Sequence, residues 1–141
     1  PYWQPETKAL ISGLTRESTK AHITRAALEA QGYQTKDLMS AMAGDSGLAL
    51  SVIRADGGLV ANGFVCQFLA DILDVPVEVP KITEATAWGA ACLAGLHVGV
   101  FNGLDDIAAR WALDKRYEPQ MEEGERTALY EGWRAAIAMI T

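Results

Sequence analysis

Two periodicities alternate along the chain. Around residues 59–73, Val65, Phe68, Leu69, Ile72 and Leu73 recur at i, i+3, i+4, i+7 and i+8. That is the apolar stripe of an amphipathic helix. Val75, Val77 and Val79 then alternate between Pro76 and Pro80, which predicts a short strand near a sheet edge, since proline cannot donate to a ladder. Residues 9–14 (A-L-I-S-G-L) and 48–55 read as strands, the second ending at Asp56-Gly57-Gly58. Between them, residues 20–43 read as a helix with Ile23, Ala27, Ala30, Leu38 and Ala41 along one flank. Its small residues (Ala26, Ala27, Ala30, Gly32) suit close packing on a sheet, Ser18 or Thr19 is placed to cap it, and Gly44-Asp45-Ser46-Gly47 reads as a turn. A third long helix is expected from Thr83 or Glu84 to about His97, a short one over 104–111, and a last one over 122–140 with Glu122, Glu123 and Glu125 at its positive end. Strands alternating with helices predict an α/β fold with a largely parallel sheet and crossover helices. No repeat or internal boundary divides the 141 residues, so a single domain over 1–141 is expected.

Composition narrows the classes. Half of the residues are hydrophobic and 21% are charged, which is globular and not disordered. The net charge is −6, divided as +1 over residues 1–54 and −7 over 55–141, so a broad basic face for nucleic acid is not expected. Cys66 and Cys92 form no CxxC and read as free thiols of a reducing, cytoplasmic compartment. A metal site built from His22, Cys66, Cys92 and His97 has no ligand spacing behind it. Residues 85–104 carry no charge and place Gly95, Gly99 and Gly103 four apart, yet the dense apolar part is short of the roughly 20 residues of a membrane span. A buried core helix is the expectation, with the flank Ala85, Gly89, Cys92, Leu96 packed on the sheet or on the helix beginning at Leu59. The chain opens on Pro1-Tyr2-Trp3 without Met or signal peptide and reads as the inside of a longer protein.

The best chemical candidate is Arg54-Ala55-Asp56-Gly57-Gly58 at a strand end, followed at once by a helix. Helix starts carry free N–H groups and partial positive charge, and two glycines let a phosphate approach the backbone. Asn62 lies four residues after Gly58, on the same face of the expected helix, where its amide could meet a base or ribose. A bare D-G-G is equally the mark of a tight strand-to-helix turn, and it is neither GxGxxG nor GxxxxGK. His22 and His97 read as packing or helix-end residues, Asp105-Asp106 as a helix start, and the four tryptophans as packing anchors.

The segment Ala9 to Leu14, seven further residues and then His22-Ile23-Thr24-Arg25-Ala26-Ala27-Leu28-Glu29 resembles the second signature of the FGGY carbohydrate kinase family. Pro1-Tyr2-Trp3, Gly13-Leu14-Thr15-Arg16, Tyr33-Gln34-Thr35, Asp56-Gly57-Gly58, Val60-Ala61-Asn62 and Thr86-Ala87 with Gly89-Ala90-Ala91 are similar to the glycerol-phosphorylating members. The likeness runs from Pro1 to about Val100, with a fainter echo through Tyr117-Glu118-Pro119. The resemblance implies an actin-like, ribonuclease-H-like ATPase lobe with a mixed sheet and crossover helices, present in part: the later portion of a C-terminal nucleotide-binding lobe, without that lobe's first strands. It implies transfer of the ATP γ-phosphoryl group, with Mg²⁺, to a polyol or sugar. Gly57 and Gly58 would lie at the phosphates and Asn62 at the adenosine. The implied partners are the N-terminal lobe of the same protein and further copies in a homo-oligomer, with no nucleic acid or membrane. No catalytic residue or metal ligand has a counterpart here, so the chain alone is expected to be inactive. Other sugar kinases of the family, acting on xylulose, ribulose or gluconate, and a non-catalytic actin-like nucleotide-binding module remain open alternatives. The chain departs from the pattern at Gly63, where a second Asn is usual, and at Trp88, where a smaller residue is usual. The first change would loosen the opening helical turn, and the second would alter packing between the two long helices.

Overall fold

The computed structural model describes residues 4–140. Pro1-Tyr2-Trp3, part of the family likeness, lies outside them. Helix α1 spans Lys20–Ser46, strand β1 Ile53–Arg54, helix α2 Gly63–Leu73 and strand β2 Val77–Pro80. Helix α3 (Ala85–His97), helix α4 (Leu104–Ala108), strand β3 (Leu113–Tyr117) and helix α5 (Glu123–Ile137) complete the order. The class is α/β with a small mixed sheet in the order β1-β2-β3. β1 and β2 are parallel, with Ile53 opposite Val77, whereas β2 and β3 are antiparallel, with Val77 opposite Tyr117.

The sheet differs from the expectation in two ways. It is the mixed sheet that the family resemblance implies and not the largely parallel one that the alternation of elements predicts, because residues 113–117, to which the sequence pattern assigns no element, form β3. Their sequence L-D-K-R-Y lacks an apolar alternation, and four of the five side chains are exposed, so the strand is held by its backbone ladder. Its presence puts β2 in the middle of the sheet among the described residues. Pro80 is accommodated at the strand's end, where the register slips to pair it with Leu113 and the next N–H, that of Lys81, reaches the Ala112 carbonyl at 2.9 Å.

Residues 9–14 form no strand; no described strand runs beside them to complete a ladder, and Leu10, Ile11 and Leu14 are exposed. Of residues 48–55 only Ile53–Arg54 form the strand, with the Ala55 N–H adding one bond to the Glu78 carbonyl at 2.9 Å. Helix α1 runs through the expected turn to Ser46 and ends on Gly47, whose left-handed φ of 69° lets its N–H close on the Ala43 carbonyl. Its start is fixed by Thr19 and His22. The Thr19 N–H donates to His22 Nδ1 at 3.0 Å, the capping role expected of that histidine. The short helix after Gly103 stops at Ala108, and α5 stops at Ile137.

Helix α1 packs through another flank than the predicted one. Ile23 and Leu38 are exposed, and Gly32, Tyr33 and Asp37 are buried. The partner is helix α2 rather than the sheet. A Cβ on Gly32 would stand 2.8 Å from the Phe68 ring and 3.2 Å from Ile72, so only glycine permits the approach. Tyr33 meets Phe68 edge-on at 5.3 Å and stacks on Trp133 of α5 at 5.4 Å. With Ile72 these residues form one core cluster, joined by Leu129 and Tyr130. Burying Ile72 completely contributes roughly 1.5–3 kcal/mol. A second cluster, Val60, Cys66 and Val79, lies on the same side as Tyr117. Burial pushes the Cys66 thiol above its usual pKa, as suits a packing residue.

The uncharged stretch does not form the expected core. Cys92 and Gly95 are buried, but Leu93, Val98 and Val100 are 64–70% exposed. Gly89 is exposed, and a Cβ there would meet nothing within 4 Å, so the predicted close packing at Gly89 is not present. The tight glycine of this helix is Gly95, whose Cβ would lie 2.5 Å from the Phe101 ring. No helix of the described residues is long and apolar enough to cross a membrane.

Candidate functional site

At the end of β1 the chain must turn sharply to reach α2. Gly57 makes the turn with φ 84° and ψ −177°, a conformation essentially restricted to glycine. Its N–H donates to the Thr83 carbonyl at 2.9 Å, which ties the turn to the segment between β2 and α3. The helix does not begin at once. Gly58–Ala61 forms a 3-10 turn and α2 starts at Gly63, so Gly58 and Asn62 do not share a helical face as expected. The N–H groups of Gly58 and Leu59, first in the 3-10 turn, have no acceptor within it.

Gly58 itself is unconstrained by the fold. Its φ is not left-handed, and a Cβ there would meet no heavy atom within 4 Å. Asn62 is the N-cap of α2, accepting the Phe64 N–H on Oδ1 at 3.1 Å. That leaves its Nδ2 amide, on an exposed side chain, as a donor toward solvent. Gly57, Gly58 and Asn62 thus stand within one turn at the mouth of β1, with a structural task for the first and third. Gly63 opens α2 below this cap, and a Cβ there would lie 3.4 Å from the Tyr117 hydroxyl, an ordinary contact.

Asp56 also lines a cavity of about 400 Å³, together with Arg54, Lys81, Trp88, Arg110 and Trp111. Arg54 lies 4.1 Å over the Trp111 ring and donates to Glu78 at 3.4 Å. Glu78 also accepts from Arg116 at 2.6 Å, so charges of alternate sign cross β1, β2 and β3. Sequence reading missed this ladder because it requires β3. Trp88 meets Phe101 edge-on at 6.2 Å, a contact within its own helix-turn and not one between the two long helices. Trp133 is a packing anchor as expected, whereas Trp111 is half-buried beneath Arg54 at the cavity; Trp3 is outside the described residues.

An open glycine beside unpaired N–H groups fits a nucleotide phosphate. For a divalent cation the described residues supply no cluster of three or more His, Cys, Asp or Glu.

Residues 1–98 match the C-terminal domain of the FGGY family of carbohydrate kinases, and the chain belongs to that family. It is 61% identical over 137 residues to a glycerol kinase of Nitrosomonas eutropha. It superposes on a Plasmodium falciparum glycerol kinase solved with ADP, with a TM-score of 0.84 at 33% identity over 99% of this chain. It also superposes on a ligand-bound xylulose kinase of Lactobacillus acidophilus, with a TM-score of 0.69 at 29% identity over 89% of this chain. Ninety-seven per cent of the chain aligns with the Nitrosomonas protein yet spans only 28% of its length, and it likewise spans 28% of the Plasmodium one.

Proposed function

We propose that this chain is the later part of the nucleotide-binding C-terminal lobe of an ATP-dependent kinase that phosphorylates glycerol, and that it forms one wall of the ATP cleft. The observation that carries the reading is Gly58. Neither backbone strain nor neighbouring atoms explain a glycine there, whereas an incoming phosphate does. The N–H groups of Gly58 and Leu59 would take phosphate oxygens, and the Asn62 amide would donate to the adenosine. The higher identity to the Nitrosomonas glycerol kinase than to the xylulose kinase favours glycerol over a sugar.

ATP supplies the phosphoryl group when bound. On this reading the residues described here position it, and the proton of the substrate hydroxyl is taken by a group outside them. Mg²⁺ belongs to the same reading, held by carboxylates from the N-terminal lobe of the same protein or from the rest of this lobe. Two buried free thiols, Cys66 and Cys92, suit a cytoplasmic protein.

The test is steady-state kinetics of the full-length enzyme carrying Gly58→Val. The KM for ATP should rise while the KM for glycerol holds. An unchanged ATP dependence would remove the assignment.

A further inference from the structure

The chain carries a net charge of −6, yet three cations, Arg54, Lys81 and Arg110, stand around the one cavity of about 400 Å³. None of the three is firmly paired. Arg54 reaches Glu78 at 3.4 Å through Nε, and Glu78 is already committed to Arg116 at 2.6 Å. Arg110 meets Asp106 at 3.5 Å, again through Nε. The terminal guanidinium N–H groups of both arginines, and the Lys81 ammonium, donate no hydrogen bond among the described residues. Donors of this kind suit a phosphate. The walls beneath them are apolar, with Ala55, Ile82 and Ala85 beside the indoles of Trp88 and Trp111. Phe101 supports Trp88 edge-on at 6.2 Å, and Arg54 lies 4.1 Å over Trp111. Supported indoles give a flat ligand a face to stack on. The volume falls within the range of small-molecule sites.

We propose that this cavity is a further nucleotide site, separate from the turn at Gly58, and that it takes a nucleoside monophosphate. The base lies against Trp88 and Trp111, and the phosphate lies on Lys81 and Arg110 with Arg54 as the third cation. A phosphate monoester is the choice because it brings nearly two negative charges to three loosely paired cations, where a carboxylate brings one. Asp56, the carboxylate of the lining, turns the phosphate away from its own end of the cavity and is an acceptor for ribose hydroxyls there. The proposal does not rest on the nucleotide reading of Gly58, since Gly57, Gly58 and Asn62 are not part of this lining.

The experiment is calorimetric titration of AMP into the full-length protein already saturated with a non-hydrolysable ATP analogue. Adenosine and inorganic phosphate are titrated for comparison. AMP should bind under these conditions, tighter than either comparison by about 10-fold or more. Lys81→Ala and Arg110→Ala remove exposed side chains. Each should weaken AMP binding by about 10-fold with the melting temperature unchanged, and Gly58→Val should leave AMP binding as it is. Absence of AMP binding would overturn the proposal, as would an AMP affinity unchanged in both cation variants. Inorganic phosphate bound as tightly as AMP would overturn it by removing the stacked base. AMP binding lost in Gly58→Val would also overturn it, by giving the ligand to the turn at Gly58.

Discussion

The Gly57 N–H donates to the Thr83 carbonyl at 2.9 Å, fixing the turn at the mouth of β1 against the segment that follows β2. That bond separates two adjacent glycines by role. Gly57 carries the strained backbone at φ 84°, and Gly58 carries open space. Gly57→Ala should destabilise the fold by roughly 1–3 kcal/mol, the cost of a glycine-only conformation. Gly58→Ala should leave thermal stability within about 0.5 kcal/mol, as for an unburdened surface site. Equal losses of melting temperature in the two variants would refute the division.

Asn62 performs two tasks with the two ends of one amide. Oδ1 caps α2, and Nδ2 is the donor assigned to the adenosine. Asn62→Asp keeps the cap and exchanges the donor for a carboxylate. It should therefore raise the KM for ATP in the full-length enzyme with little change in melting temperature. Asn62→Ala loses both and should cost about 1 kcal/mol of stability as well. Unchanged ATP kinetics in both variants, with stability lost in Asn62→Ala alone, would leave Asn62 a cap and nothing more.

These local roles show what could be read in advance and what could not. The stripe through Val65, Phe68 and Ile72 announced α2, and Asp56-Gly57-Gly58 announced the turn, because both signals are local. The 3-10 turn at Gly58–Ala61 was not legible, since an extra residue before the helix leaves no periodic mark. β3 was invisible for a related reason. Leu113–Tyr117 has no alternating pattern and exists through its pairing with β2. The burial of α1 was assigned to the wrong flank because Ala27, Ala30 and Leu38 make a plausible stripe, whereas the contact is chosen by Gly32 meeting Phe68. Sequence alone does not say which of two apolar flanks finds a partner, and the same ambiguity placed the close contact at Gly89 instead of Gly95.

Asp37 is a buried carboxylate that joins α1 to α5. It accepts from the Tyr130 hydroxyl at 2.5 Å and from Trp133 Nε1 at 2.7 Å. Removing the acceptor leaves two part-buried donors without it. Asp37→Ala should destabilise by about 2–4 kcal/mol, and Asp37→Asn, which retains one carbonyl acceptor, by less. Denaturant unfolding of the two variants checks the order. An Asp37→Ala loss below about 0.5 kcal/mol would show that the cluster of Tyr33, Phe68 and Ile72 holds α5 without this anchor.

Tyr33 makes the fold sensitive to alkali. Burial between Phe68 and Trp133, reinforced by the negative charge of Glu29, pushes its hydroxyl from the ordinary 10 up to about 12. Below pH 10 the folded and unfolded chains both hold this proton, and Tyr33 adds no pH dependence. Between pH 10 and about 12 the unfolded chain releases the proton while the folded chain keeps it, so the balance moves toward unfolding. At most about 2–3 kcal/mol is lost across that window, at ~1.4 kcal/mol per pKa unit. Tyr33→Phe cannot ionise and should flatten this part of the stability profile while keeping the ring contacts. Across unfolding free energies measured at pH 9, 10.5 and 11.5, the wild-type chain should fall progressively relative to the variant. Parallel profiles would mean that another group carries the alkaline loss.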